Sequence, residues 1–196
     1  MKQLINFKQG RCKDVAFPER YLCKNEKEFY DNINKNNGIK SRLYFSIYDC
    51  NQNRDFSDAS IFAIPFDLDN QEGLSNCIKI WEYCKLHNYK CLFLFSTKGF
   101  WAYIFCKEYE NLKNKKGALL KATESICNEL GLSIGYCNPQ KKYDVDKHVI
   151  GDLARIGRLP NGFDRGRKRF CVPITIEDLQ KGYEWIVQKS QKQCFE

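Results

Sequence analysis

Two aspartates, Asp67 and Asp69, stand at alternate positions at the end of the apolar segment 61–69, IFAIPFDLD. Because successive side chains of a strand point to opposite faces, a strand here places both carboxylates on one face. Carboxylates this close repel each other unless a cation lies between them, and Mg²⁺ or Mn²⁺ suits such oxygen ligands. The pair is also typical of a solvated strand end, so the prediction of a metal site depends on the rest of the sequence.

A third acid is needed if the site is to hold two metal ions for phosphoryl transfer. Asp146 is the best candidate, because it follows Val145 in a segment with strand character. Two alternatives remain open. Asp144 shares the predicted strand face of Asp146, and Asp152 suits the first turn of a short helix predicted over residues 150–156.

The segment Ser96-Thr97-Lys98-Gly99 is predicted to form a turn between two buried strands, close to the strand that carries the acids. Gly99 permits a tight turn and a close approach of the backbone. The Ser96 hydroxyl and the Lys98 ammonium group suit a triphosphate. The alternative is a plain hairpin with a solvated lysine.

Basic residues follow the third acid in two groups. Arg155 and Arg158 are three residues apart and face one way if the segment is helical, and guanidinium groups bind phosphates in a bidentate manner. Arg165, Arg167 and Lys168 lie in a basic turn, RGRKR, which indicates either a solvated hairpin tip or a clamp on the phosphates of a nucleic acid.

The elements that must position these residues alternate between strands and helices. The segment from residue 61 to residue 130 reads strand, helix, strand, strand, helix, and its pattern predicts an α+β fold with an RNA-recognition-like (ferredoxin-like) β-sheet core and flanking helices. Pro65 within the first strand indicates an edge or a bulge. An N-terminal α/β unit has a helix capped by Asn25 and a strand over residues 43–48. A final helix over residues 175–191 begins with a capping box. We predict one domain, residues 1–196, with lobes 1–60 and 61–196.

The composition sets broader limits. The chain of 196 residues has 32 Lys and Arg against 24 Asp and Glu, a net charge of +8 that favours a polyanionic partner but is not specific for one. Eleven cysteines without a Cys-x-x-Cys pair, and no long apolar run near the start, predict reduced thiols and a cytoplasmic location. A zinc site at Cys127, Cys137 and His148 lacks a fourth ligand and is disfavoured. No segment is long enough to cross a membrane.

The three motifs occur in an order that resembles the archaeo-eukaryotic primases, which include small catalytic subunits and plasmid and viral primase-polymerases. The first motif is Phe66-Asp67-Leu68-Asp69, and the second is the turn at 96–99 followed by Phe100-Trp101. The third is Val145-Asp146, with Arg155-Ile156-Gly157-Arg158-Leu159-Pro160 after it. The resemblance covers about residues 42–175.

The resemblance implies a role for each matching residue. Asp67, Asp69 and Asp146 would hold two Mg²⁺ or Mn²⁺ ions and form the catalytic set. The residues that would bind the nucleotide are Ser96, Lys98, Gly99, Trp101, Arg155 and Arg158, and those that would bind nucleic acid are Arg165, Arg167 and Lys168. Two positions depart from the family: Trp101 stands where the family has a phosphate-binding histidine, and Thr97 replaces the usual glycine.

The function that the resemblance implies is template-directed, metal-dependent synthesis of primers from nucleoside or deoxynucleoside triphosphates, for DNA replication or repair. The implied partners are nucleoside triphosphates, a single-stranded DNA template, and a helicase or large primase subunit acting in trans. Two alternatives remain. Trp101 also fits a nucleic-acid-binding module that has lost catalysis, and an Asp-x-Asp pair with a distant Asp fits a two-metal nuclease. A histidine-based nicking enzyme is disfavoured, because the chain has only His87 and His148.

Overall fold

Two four-stranded antiparallel sheets form the framework of the protein in a computed structural model, which describes residues 5, 7–8, 10–16, 19–39, 42–69, 72–109, 112–137 and 143–193. The central sheet has the order β12-β5-β6-β4, and the second sheet has the order β2-β1-β3-β9. Two shorter pairs, β7 with β8 and β10 with β11, complete the strands of the described residues.

The strands are β1 Lys13–Ala16, β2 Arg20–Cys23, β3 Tyr44–Ser46, β4 Ile61–Leu68, β5 Lys90–Phe95, β6 Phe100–Tyr109, β7 Ile134–Gly135, β8 Val145–Asp146, β9 Ile156–Arg158, β10 Phe163–Asp164, β11 Arg169–Phe170 and β12 Val172–Ile174. The helices are α1 Glu26–Asn36, α2 Glu72–Leu86, α3 Lys115–Leu130, α4 Ile176–Lys181 and α5 Tyr183–Lys189, with a 3₁₀ turn at Lys147–Val149.

The central sheet confirms the predicted α+β class. Strands β4, β5 and β6 follow one another in the chain with α2 after β4, and β6 lies between β4 and β5 as in an RNA-recognition-like sheet. The outer position of β4 explains how it accommodates Pro65, which has no N–H to donate to a neighbour. A register shift between Ile61 and Ala63 adds the irregularity that the proline predicted.

The two faces of the central sheet differ in what covers them. Along β4, Phe66 and Leu68 are fully buried, and α2 and α3 pack against this strand. Because side chains alternate, Asp67 points to the other face, and its direct partner across the antiparallel pair is Trp101. One face of the sheet therefore packs against the helices, and Asp67 and Trp101 lie on the opposite face.

The second sheet draws its strands from distant parts of the chain. Strand β1 lies between β2 and β3, and β9 pairs with β3, with Arg158 opposite Tyr44. The segment that follows the third acid is thereby brought to the N-terminal part of the fold. The division of the domain into lobes at residue 60 stays a prediction.

Two predicted helices differ from the structure. The helix predicted over residues 150–156 is wrong: the chain turns there and enters β9 at Ile156, where the Arg155 carbonyl accepts from the Ile47 N–H. The single final helix is also wrong, because Gly182, with φ of 91°, separates α4 from α5. The capping box at Thr175 and Asp178 is confirmed. The sequence also predicts an irregular segment with strand character over residues 134–145; β7 begins it and β8 begins at its end, and residues 138–142 lie outside the described residues.

None of the ten cysteines in the described part of the chain forms a disulfide, and most of them are buried. Across those same residues, the structure contains no helix that is both long enough and apolar enough to span a bilayer.

Candidate functional site

A cavity of about 550 Å³ opens on the face of the central sheet that the helices leave uncovered. Strands of both sheets and the β10–β11 hairpin contribute its walls, so distant segments meet there. We call it the site cavity. It is lined by Arg42, Tyr44, Asp67, Asp69, Ser96, Thr97, Lys98, Trp101, Arg155, Ile156, Arg158 and Arg167.

The acidic end of the site cavity is formed by Asp67 and Asp69 at the end of β4. Burial raises the pKa of Asp67 to about 7, and repulsion from Asp69 and from Asp146 adds to the rise, while Arg155 and Lys98 oppose it. The Lys98 ammonium group lies 3.8 Å from Oδ1 of Asp69. Strand β4 thus presents a carboxylate pair whose mutual repulsion the neighbouring cations only partly offset.

The third predicted acid, Asp146, lies in β8, which packs beside β4 and brings its charge near Asp67. Its carboxylate accepts from the backbone N–H of His148 at 3.0 Å and lies 2.8 Å from Nδ1 of that ring. The alternative acid Asp144 instead binds the Ser133 hydroxyl and amide and the Asn76 side chain. Asp146 is therefore the one whose charge acts on Asp67.

The donor set fits a divalent cation in its chemistry. Asp67, Asp69 and Asp146 supply hard oxygen donors, and the charges of Asp69 and Asp146 disfavour the ionisation of Asp67, which a hard cation would favour. In the part of the chain that the structure describes, no three His, Cys, Asp or Glu side chains are arranged as a ready metal-ligand group. Both contacts of Asp146 with His148 use Oδ1.

The turn at 96–99 is closed by its own side chain. The Ser96 hydroxyl donates to the Gly99 carbonyl at 3.0 Å and accepts from the Gly99 N–H at 3.3 Å. A Cβ on Gly99 would lie 2.8 Å from the Leu68 carbonyl oxygen and 3.1 Å from Cα of Asp69. The close backbone approach predicted for Gly99 is therefore made to the strand end that carries the acids.

Thr97 occupies the left-handed region in this turn, with φ of 79°. A β-branched residue is strained there, which accounts for the glycine that the family usually has. Here the fully buried Thr97 hydroxyl donates to Oδ2 of Asp164 at 3.0 Å. The bond gives a physical reason for threonine at this position.

Trp101 is buried with its indole ring stacked on Tyr103 at 5.9 Å between centroids. Its side chain lies on the same sheet face as Asp67 and lines the site cavity. An indole can offer one N–H and an aromatic face, but no positive charge. Any phosphate contact in this cavity must therefore come from other cations.

The arginines after the third acid supply such cations. Arg155 and Arg158 both line the site cavity, although they are presented by β9 and its entry rather than by a helix. The guanidinium group of Arg158 lies over the Tyr44 ring at 5.3 Å. Nε of Arg155, and Nε and Nη2 of Arg158, are buried without a hydrogen-bond partner. Buried N–H groups of charged side chains are costly to leave unpaired, and a bound anion would satisfy them.

A buried aspartate, Asp164, lies among the arginines of the site cavity and is a residue that sequence reasoning missed. Asp164 is 1% exposed, and its Oδ2 lies 3.0 Å from Nε of Arg42 and 3.6 Å from Nη1 of both Arg158 and Arg167. Burial opposes the ionisation of Asp164, but the Thr97 hydroxyl and the arginines outweigh it and hold its pKa below the usual value. The acid immediately before the basic turn is the one signal that could have pointed to it.

The predicted nucleic-acid-binding residues separate in the structure. Arg167 lines the site cavity, whereas Arg165 donates to the Ile39 carbonyl at 3.1 Å. Lys168 is exposed at the hairpin tip with φ of 52°. Of the basic turn, the structure thus brings only Arg167 into the site cavity.

Two solved structures share this fold. The polymerase domain of ligase D from Mycobacterium tuberculosis, determined in complex with DNA, matches with a TM-score of 0.59 and 9% identity over 95% of this chain and 83% of that chain. The AEP domain of the cyanophage S-2L primase-polymerase matches with a TM-score of 0.55 and 12% identity over 89% of this chain and 85% of that chain. Comparisons with models of protein families and with curated protein sequences found no match. The chain therefore has the fold of primase-polymerase domains.

Proposed function

We propose that this chain, which has a primase-polymerase fold, is a nucleotidyltransferase that joins nucleotides from triphosphates on a single-stranded DNA template. One observation carries the proposal: the same cavity is lined by the carboxylates of Asp67 and Asp69 and by two arginines, Arg155 and Arg158, that keep buried guanidinium N–H groups without a hydrogen-bond partner. Nucleotidyl transfer needs this polarity, since it must bind the phosphate chain and the divalent cations that accompany it.

At the acidic end, Asp67, Asp69 and Asp146 would hold Mg²⁺ or Mn²⁺. Bound there, the ions would lower the pKa of the attacking hydroxyl and neutralise charge on the leaving pyrophosphate. The residues themselves contribute by position: β4 fixes Asp67 and Asp69 on a buried edge, and Gly99 packs against the backbone that joins them.

At the basic end, Arg158 and Arg155 would bind the triphosphate, with Lys98 near the acids to contact it from the turn. Tyr44 fixes the plane of the Arg158 guanidinium, so its N–H groups are presented to the cavity in one orientation. Trp101 would meet the nucleotide by its aromatic face rather than by a charge. The basic hairpin and the net charge of +8 favour the phosphate backbone of a template.

The test is primer synthesis by the purified protein given Mn²⁺ or Mg²⁺, single-stranded DNA and labelled nucleotides. We expect short products, and we expect Asp67→Asn to abolish them. Asp55→Asn serves as a matched control, because the Asp55 carboxylate accepts hydrogen bonds from Ser57 in an exposed loop. Product formation that is unchanged in Asp67→Asn would exclude the proposed site, and degradation of DNA without added nucleotides would indicate a nuclease instead.

A second candidate function rests on Trp101. The replacement of a charged, proton-exchanging residue by a buried indole also fits a primase-fold module that binds nucleotide or nucleic acid without catalysis. For this candidate, triphosphate binding in EDTA would survive replacement of Asp67, Asp69 and Asp146 by Asn, and no metal or template would yield products. A helicase or large primase subunit acting in trans remains the proposed partner in either case.

A further inference from the structure

Three guanidinium groups surround one buried carboxylate at the basic end of the site cavity. Arg42, Arg158 and Arg167 all approach Oδ2 of Asp164, at 3.0, 3.6 and 3.6 Å. One carboxylate neutralises one of the three charges, so an excess of two positive charges remains on the cavity wall. A cluster that served only to stabilise the fold would not keep this excess, because like charges so close repel one another.

Asp164 is itself held from three sides. Its Oδ1 accepts from the backbone N–H groups of Gly166 at 3.1 Å and Arg167 at 3.3 Å, and its Oδ2 accepts from the Thr97 hydroxyl at 3.0 Å. These contacts join the turn at 96–99 to the β10–β11 hairpin. The Asp164 carboxylate is thus held in place by these bonds, and its position can orient the arginine side chains that contact it.

The contact with Asp164 leaves two donors of Arg158 without a hydrogen-bond partner. Arg158 is 5% exposed and uses Nη1 toward Asp164, and its plane rests on Tyr44. Its Nε and Nη2 have no hydrogen-bond partner. Arg42, Arg158 and Arg167 all line the site cavity, and their excess positive charge suits an anion with several oxygens.

We infer that Asp164 is a positioning residue for phosphate binding and that Arg42 and Arg167 belong with Arg158 to one subsite for a polyphosphate chain. The inference deepens the proposed function, since the nucleoside triphosphate would be the physiological ligand. Arg42 lies just before β3, and Arg167 lies in the β10–β11 hairpin. Asp164 therefore contacts guanidinium groups from distant parts of the chain and holds them near one another.

The test is the affinity for inorganic tripolyphosphate in EDTA, measured by calorimetry on wild type and on Asp164→Asn. Simple electrostatics predicts tighter binding by the variant, because a negative charge is removed from the wall. A positioning role predicts the opposite, and we expect the Kd to rise about tenfold or more as the guanidinium groups lose their common anchor. Asp178→Asn is the matched control: Asp178 is also buried and bound to a cation, Lys189, but at the start of α4.

Arg42→Gln provides a second variant should Asp164→Asn fail to fold, because the Arg42 side chain is 44% exposed. We expect it to weaken tripolyphosphate binding about fivefold to tenfold. Unchanged or tighter binding in the folded variants, or no binding by wild type, would overturn the inference. The assay involves no template and no metal, so weaker binding by the variants would support the subsite even if no primers were made. Conversely, if the protein makes primers and the variants bind tripolyphosphate as tightly as wild type does, the proposed function would hold and the role inferred for Asp164 would be wrong.

Discussion

Asp67 on β4 and Trp101 on β6 are direct partners in the antiparallel register, with both side chains on the sheet face that lines the site cavity. The pairing places the residue that departs from the family beside the residue with the most strongly raised carboxyl pKa, about 7. It also places the indole on Tyr103, so Trp101 is both a structural and a cavity residue. The two contributions can be separated by substitution.

Replacing Trp101 tests whether the site lacks a phosphate donor. Trp101→His introduces the residue of the primases that the motifs resemble, and we expect the KM for nucleoside triphosphate to change by less than about threefold if Arg42, Arg158 and Arg167 bind the phosphates as proposed. Trp101→Ala should lower the free energy of unfolding by about 3–5 kcal/mol through loss of a buried ring, and Trp101→Phe by less. Steady-state kinetics and urea unfolding measure the two effects. A tenfold gain in kcat/KM for Trp101→His would contradict the assignment of the phosphates to the arginines.

Asp67 and Asp69 should contribute more to kcat/KM than Asp144 does. We expect Asp67→Asn and Asp69→Asn each to reduce kcat/KM about 1,000-fold or more, since either change weakens the charge that holds the cations. Asp144→Asn should reduce kcat/KM by less than about tenfold, because both carboxylate oxygens of Asp144 already accept hydrogen bonds, from Ser133 and Asn76. Single-turnover nucleotide incorporation with Mn²⁺ gives the comparison. Equal losses at Asp144 and Asp67 would show that the third acid has been misassigned.

How much of the site could be predicted from the sequence depends on how close together in the chain the interacting residues lie. Asp67 and Asp69 were predictable, because alternation within one strand decides which face they share. The sequence predicts a short helix over residues 150–156, which includes Arg155, because the pairing that makes residues 156–158 a strand comes from β3, more than a hundred residues earlier. Asp164 went unrecognised for the same reason: its partners Thr97 and Arg42 are 67 and 122 residues away. Contacts between residues so far apart cannot be predicted from a short stretch of the sequence.

The strained backbone at Thr97 leads to a prediction about stability. Residues with a side chain pay about 1–2 kcal/mol in the left-handed region, whereas glycine does not. We therefore expect Thr97→Gly to be more stable than Thr97→Ala by about 1 kcal/mol, which reverses the usual order of glycine and alanine. Thr97→Ser, which keeps the hydroxyl bond to Asp164, should be closest to wild type. Urea unfolding at constant pH gives the order: an alanine variant as stable as the serine variant would exclude the bond as an explanation, and one as stable as the glycine variant would exclude the strain.

The raised pKa of Asp67 makes the metal-free protein less stable as the pH rises. Below about pH 4 the carboxyl is protonated in both the folded and the unfolded chain, whereas between about pH 4 and pH 7 only the folded chain keeps the proton. Each pH unit in this window therefore costs up to about 1.4 kcal/mol, and the half-buried position of Asp67 keeps the total below about 4 kcal/mol.

Unfolding in EDTA at a series of pH values tests this linkage. We expect the free energy of unfolding of wild type to fall relative to that of Asp67→Asn as the pH rises from 4 to 7, and to run parallel above it. Mn²⁺ should reverse the trend in wild type alone, because it binds the ionised carboxylates of the folded state and not the unfolded chain. A difference between the two proteins that stays constant from pH 4 to pH 7 would mean that Asp67 ionises normally, and that burial and Asp69 do not act on it as the geometry indicates.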